Sequence, residues 1–293
     1  MKPIARRPAA RAKGSLVVGF LLLVLFLPIG RGRANPTSAS AVALGDAAWA
    51  DRATRLDVSG RLADPVEIEA AISQYQRALA TSPEAVEVRW KLLRALHYSV
   101  DFAQRPDEAK DASLVSAIEV AQTSENLLAE GSGSDADRAR LYFWSSIAWG
   151  TRANRVGILT VVREGAARRM YDGASRSLAL DPSVDDGGAL RLLSRLHGTL
   201  PKVPFVTGWV DRGKALVYAE RAFALDPEHP GSRLVLAVTL QERAPDRADE
   251  ARALLEAVAS LEPRPAFVVE DLSIREQARE RLQLGSGMRK ETP

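Results

Sequence analysis

The chain contains no cysteine among its 293 residues, so a disulfide, a thiolate nucleophile and a zinc–thiolate site are all excluded. The same absence excludes a lipid anchor on an N-terminal cysteine. Only three histidines occur, His97, His197 and His229, and they lie 100 and 32 residues apart. No phosphate-binding loop and no nucleophile-elbow motif is present. We therefore expect no metal, no cofactor and no catalytic residue, and we expect that the protein is not an enzyme.

Acidic residues are absent from the first 34 positions, which carry seven basic residues. An apolar run of 14 residues from Leu16 to Ile29 follows the first five of these. A spanning helix needs roughly 20 apolar residues, so this run is short for a membrane helix. A basic head, a short apolar run and small residues predict a secretory signal peptide over 1–34, cleaved after Ala34 or after Ala41. The alternative is an uncleaved membrane anchor over 16–29, and both place the protein in the periplasm or cell envelope.

The basic character of the chain comes from that leader. The whole sequence has a formal charge of +3, and removing seven basic residues leaves −4 for the remainder. The isoelectric point near 9.3 therefore belongs to the targeting segment. A mildly acidic mature chain does not favour nucleic acid as a partner.

Four segments repeat the same spacing of 4, 3 and 5 residues, ending at a proline. The copies are Ala71–Tyr75–Ala78–Pro83, Met170–Ala174–Ser177–Pro182, Ala215–Ala219–Ala222–Pro227 and Ala251–Leu255–Val258–Pro263. Steps of 4 and 3 place three side chains on one helical face. The proline then ends the helix, because it lacks an N–H and restricts the residue before it. A recurring helix of this kind is the signature of a helical repeat array.

The repeats predict one all-α domain, an α-solenoid, over residues 43–284. A disordered tail is expected over 285–293. Within the domain, the Asp185–Gly188 stretch predicts a turn whose aspartates cap the next helix. The Pro201–Lys214 segment is an insert that is apolar for a loop, and we expect it to pack on the body of the domain.

The copy at 71–83 resembles the second helix of a tetratricopeptide repeat, where a small residue, an aromatic, an alanine and a final proline recur. The Asp-Pro pairs at 181–182 and 226–227 are similar to those that end such repeats. The interval of 36 residues from Pro227 to Pro263 lies near the family period of 34. The resemblance implies a tetratricopeptide-like superhelix.

A narrower resemblance covers roughly residues 140–284. This part of the chain looks like the T-component of TRAP transporters. The similar segments are the aromatic helix at 142–149, the run 186–197, the proline-containing insert with Lys214–Leu216 after it, and the late segment at 263–282. This resemblance implies a periplasmic accessory protein of a solute uptake system, possible self-association and a hydrophobic cleft. The implied partner is a periplasmic solute-binding protein or an apolar ligand.

Aromatic residues make up only 6% of the chain, yet four of them share one predicted helix and two lie in the insert. Together they are the candidate lining of an apolar groove: Tyr142, Phe143, Trp144, Trp149, Phe205 and Trp209. The alternative is that these rings fill the core where the repeats are irregular. A large exposed apolar patch would favour binding.

Repeat pairs cannot bury their apolar faces alone, so neighbours stack and form a concave surface. The sequence therefore predicts a periplasmic protein-binding or assembly module, in one version an accessory component of TRAP-type solute uptake. The alternative is a membrane-tethered structural scaffold of the envelope with a general protein-interaction role.

Overall fold

The structure is a computed structural model, and it describes residues 37–156, 160 and 163–288. The predicted signal segment 1–34 lies outside these residues. Within them no helix is both long and apolar enough to cross a membrane. The same part of the chain has no strand, only isolated bridges from Ala63 to Leu56 and to Ala103.

Helices account for nearly all the regular structure of the described residues. They are α1 (Ser38–Ala50), α2 (Pro65–Thr81), α3 (Val86–Asp101), α4 (Asp107–Thr123), α5 (Glu125–Ala129), α6 (Asp135–Arg155), α7 (Ala166–Leu180), α8 (Gly188–Thr199), α9 (Arg212–Leu225), α10 (Pro230–Arg243), α11 (Ala248–Ala259) and α12 (Val268–Met288). Short 3₁₀ turns precede α8, α11 and α12.

These helices stack as successive pairs. The pairs in contact are α1 with α2, α3 with α4, α6 with α7, α8 with α9, and α10 with α11, and α12 packs on the last pair. First helices of neighbouring pairs also touch, namely α3 with α6, α8 with α10 and α10 with α12. This arrangement confirms the predicted all-α helical repeat array.

The repeated spacing marks the core. All twelve small or apolar positions of the four copies are buried, and the most exposed of them, Met170, has a relative exposure of only 6%. Three copies end their helix two residues before the proline, and the last ends four residues before it. Each copy lies on the second helix of a pair. That helix packs against both the helix before it and the helix after it in the chain.

The array curves far enough for its two described ends to meet. Arg52, just after α1, donates from Nη2 to the carbonyl of Ala266, 2.6 Å away, and to Glu270 of α12. Val269 is 1% exposed and belongs to the apolar cluster that α1, α2 and α3 form. The start of α12 therefore packs against the first helices of the chain, α1 to α3, as well as against the last pair.

Two predicted boundaries and one predicted helix cap differ from the structure. The first helix begins at Ser38 rather than at 43, because Thr37 caps it by accepting from the Ser40 amide. The last helix continues to Met288, into the predicted tail of 285–293. The aspartates do not cap α8. Gly187 holds the N-cap position, and no side chain makes a capping bond there.

Candidate functional site

The six candidate aromatic residues occupy several separate places. Phe143 is buried in a cluster with Val184, and the ring of Trp144 lies 5.2 Å from it. Trp149 is buried in another cluster, against which Trp209 packs. The structure thus forms two pairs from four of these rings, and each pair lies in a different part of the core.

The remaining two rings, Tyr142 and Phe205, belong to neither pair. Tyr142 lines a cavity of about 220 Å³ that Trp149 also borders, on the side of α4, α5 and α7. Phe205 is fully exposed, with φ of 63°. The insert therefore packs on the body only in part, because Trp209 stacks on Tyr171 at 4.1 Å while Phe205 points to solvent. A shared groove of all six rings is absent from the described residues, and ligand binding by any of them stays a prediction.

Cations and indole rings alternate across the interior from α1 to α6. The guanidinium of Arg52 lies 4.1 Å from the ring of Trp49, and that of Arg94 lies 4.0 Å from the same ring. Arg94 is also 5.0 Å from the ring of Trp90, and Arg140 is 5.5 Å from it. These distances fall within the range of cation–π attraction. We call this series the Arg–Trp ladder; its members are Arg52, Trp49, Arg94, Trp90 and Arg140, and it connects α1, α3 and α6.

The ladder ends beside a carboxylate that lacks a hydrogen bond. Asp185 is near Arg94 and Arg140, and its Oδ2 is buried with no partner among the described residues. Burial raises the pKa of Asp185, while these guanidinium groups and Arg191 oppose that rise. Neither Arg94 nor Arg140 forms an ion pair with a described residue, and burial lowers the pKa of Arg94.

The turn that carries Asp185 has an unusual backbone. Asp185, Asp186 and Gly187 all have left-handed φ values, of 44°, 53° and 83°. Two of the three have side chains, for which this region is strained. Arg191 holds the turn by donating to the carbonyls of Asp185 at 2.8 Å and Asp186 at 2.5 Å. Burial lowers the pKa of Arg191 to about 10.

Two cavities lie next to each other along the first helices of the repeat pairs. One of about 440 Å³ lies between α3, α6 and α8, and one of about 290 Å³ lies between α8, α10 and α12. Arg195 and Thr199 of α8 line both. We call the two adjacent cavities together the inner groove. None of the six predicted aromatic residues lines it.

The histidines have separate structural roles. His97 borders the inner groove, where its Nδ1 lies 3.3 Å from Asp101 Oδ2, a pairing four residues apart that the sequence-based predictions missed. His197 accepts from the Asp211 amide, and His229 caps α10. Burial lowers the pKa of all three. Across the described residues no cluster of three or more potential metal ligands exists.

Comparison with known proteins supports the fold. No family model and no curated protein matches the sequence. Among solved structures, TTC0263, a thermophilic TPR protein of Thermus thermophilus, superposes with a TM-score of 0.52. The two are 17% identical over 84% of this chain and 100% of that one. The MamA protein gives a TM-score of 0.45 at 16% identity, over 79% of this chain and 100% of that chain. The first of these likenesses shows that the chain has a TPR-like fold.

Proposed function

We propose that this chain is a non-enzymatic protein-binding module whose partner lies in the inner groove. The observation that carries the proposal is that two adjacent cavities extend along the first helices of several repeat pairs and share Arg195 and Thr199 in their linings. Curved helical repeats offer extended inner surfaces of this kind to peptides and helices.

Site-specific photo-crosslinking in the producing cells tests this proposal. A photo-reactive amino acid at Thr199, which lines both cavities, is expected to give a discrete crosslinked adduct. Mass spectrometry then identifies the partner in that adduct. The matched control is Val217, which is 52% exposed on α9 and lines none of the cavities described above. No adduct from Thr199, or the same adducts from both positions, would overturn the proposal.

Export is part of the proposal. The basic head and short apolar run of residues 1–34 support secretion to the periplasm or envelope, either as a cleaved protein or as a scaffold tethered by 16–29. An accessory role in TRAP-type solute uptake is a narrower version, which the resemblance over 140–284 supports. Co-purification with a periplasmic solute-binding protein is the expected result for that version, and its absence would leave only the general binding role.

A further inference from the structure

We propose that the inner groove recognises a segment of a partner protein in which an acidic residue lies between apolar residues. The acidic side chain pairs with Arg195, and the flanking apolar side chains enter the two cavities. This inference rests on the proposed function and adds the chemistry of the partner to it. Three properties of the groove lead to it: its apolar walls, the unpaired cation Arg195 at its centre and the positions of its other charges.

Apolar side chains line both halves of the groove. The larger half includes Ile147, Met170, Leu192, Leu196 and Leu200. The smaller half includes Leu234, Val235, Val238 and Leu284. Covering these walls with apolar side chains of a partner removes apolar surface from water, and that is the main driving force of association.

Arg195 lies where the two halves meet. Its side chain is exposed, and it forms neither an ion pair nor a hydrogen bond with a described residue. Its backbone carbonyl accepts from Thr199 Oγ1 at 2.7 Å, so the helix position beneath it is fixed. A partner that covers Arg195 without supplying an anion would bury an unpaired cation, which is costly. The occupant therefore has to bring a negative charge to this point.

The other acidic and arginine side chains that border the groove lie on helices other than α8: Asp101 on α3, Glu242 on α10, and Glu280 and Arg281 on α12. Glu242 lies 3.7 Å from Arg281. Asp101 lies 3.3 Å from His97, but the lowered pKa of His97 leaves the imidazole neutral, so the charge of Asp101 is not compensated. Glu280 lies on α12, across the smaller cavity from α8. An acidic residue of the partner is therefore attracted to Arg195 on α8 and repelled by Glu280 on α12 and Asp101 on α3. This polarity fixes which side of the bound segment faces Arg195.

The position of Arg195 between two apolar recesses distinguishes a peptide from a fatty acid. A fatty acid carries its carboxylate at one end of a single apolar chain. Here the cation is flanked by apolar walls on both sides, which a polypeptide with apolar, acidic and apolar residues in succession matches. Such segments bind grooves through apolar anchors, and a charged contact sets their register.

Panning of displayed random 12-residue peptides against the full chain tests the inference. We expect the selected peptides to carry Asp or Glu between apolar residues. Their affinity should fall at least tenfold on Arg195→Glu and stay unchanged on Arg221→Glu, an exposed arginine of α9 that lines neither half of the groove. Replacing the acidic residue of a selected peptide by lysine should restore binding to Arg195→Glu.

Three results would overturn the inference: no selected peptide, selected peptides without the acidic residue, or binding to Arg195→Glu within twofold of the unaltered chain. Displacement of the peptides by myristate would also overturn it, in favour of a fatty-acid site. If the peptides fail while Thr199 still gives a specific crosslinked partner, the proposed function stands and only this chemistry is wrong. If both experiments fail, the groove is not a binding site for proteins.

Discussion

Arg52 and Glu270 form an ion pair of 2.7 Å although 218 residues separate them in the chain. The side chain of Arg52 is 4% exposed and that of Glu270 is 18% exposed, so the contact is largely shielded from water. Arg52 also donates to the Ala266 carbonyl, and its guanidinium lies over the ring of Trp49. One residue thus links the first repeat pair, the last helix and the Arg–Trp ladder.

Replacing Arg52 by alanine should lower the free energy of unfolding by about 3 kcal/mol, because breaking a buried pair leaves Glu270 without its partner. Urea denaturation measures the change. The control is Arg252→Ala, which removes an exposed ion pair to Glu256 within α11 and should cost about 0.5 kcal/mol or less. Equal losses in the two variants would mean that the closure by α12 contributes little to stability.

Small side chains of the repeated spacing are required by close packing. Ala219 is fully buried between helices, whereas Ala224 is exposed on the same helix, α9. Ala219→Leu should destabilise the fold by about 2 kcal/mol, since added methylenes force neighbours apart. Ala224→Leu should be nearly neutral. Thermal unfolding of both variants checks the prediction, and a stable Ala219→Leu variant would contradict the role given to the spacing.

Two glycines of α8 should respond oppositely to substitution by alanine. At Gly188 an added Cβ would lie 2.6 Å from Cζ of the buried Phe143 ring, so the ring must move. At Gly198 the nearest atom would be 3.7 Å away, an ordinary contact. We expect Gly188→Ala to destabilise by about 1–3 kcal/mol and Gly198→Ala to stabilise by about 0.5–1 kcal/mol. Chemical denaturation measures both, and a change of the same sign in the two would refute the prediction.

The fold was readable from the sequence because its signal is local. The steps of 4, 3 and 5 residues lie within single helices, and all twelve marked side chains are buried. The Arg–Trp ladder was not readable in this way. Trp49, Arg94 and Arg140 come from three helices, and their meeting depends on how neighbouring pairs pack, which no spacing within a helix encodes.

The positions of the candidate aromatic side chains could not be predicted from the sequence either. Phe205 and Trp209 lie four residues apart in one loop, yet one is fully exposed and the other stacks on Tyr171. The backbone at Phe205 is also left-handed, and the composition of the loop does not indicate this. The sequence did not single out Arg195 for a related reason, because an arginine without an ion-pair partner is recognised only when the residues around it are known.

Stability should fall as the pH drops from about 6.5 towards 4. Burial, followed by the nearby cations Arg191 and Arg264, lowers the pKa of His229 to about 4. Between that value and the ordinary value near 6.5 the unfolded chain binds more protons, so acid favours unfolding. His97 and His197 act in the same direction.

The variant His229→Asn isolates the contribution of His229, because asparagine is a neutral residue that also caps helices. We expect urea denaturation at pH 7 and at pH 5 to show a smaller acid-induced loss in this variant than in the unaltered chain. An identical loss in both proteins would assign the pH dependence to other groups.

The start of α1 bears on where an exported chain would be cleaved. Cleavage after Ala41 would remove the Thr37 cap and Ser38, whose Oγ donates to the Ala78 carbonyl at 3.4 Å, and would separate the 1% exposed Ala41 from its helix. Cleavage after Ala34 leaves all of these contacts intact. We therefore predict that N-terminal sequencing of the exported protein gives a mature chain that begins at Asn35. A start at Val42 would mean that α1 of the mature protein is shorter, and recovery of residues 1–34 in a membrane fraction would favour the tethered scaffold.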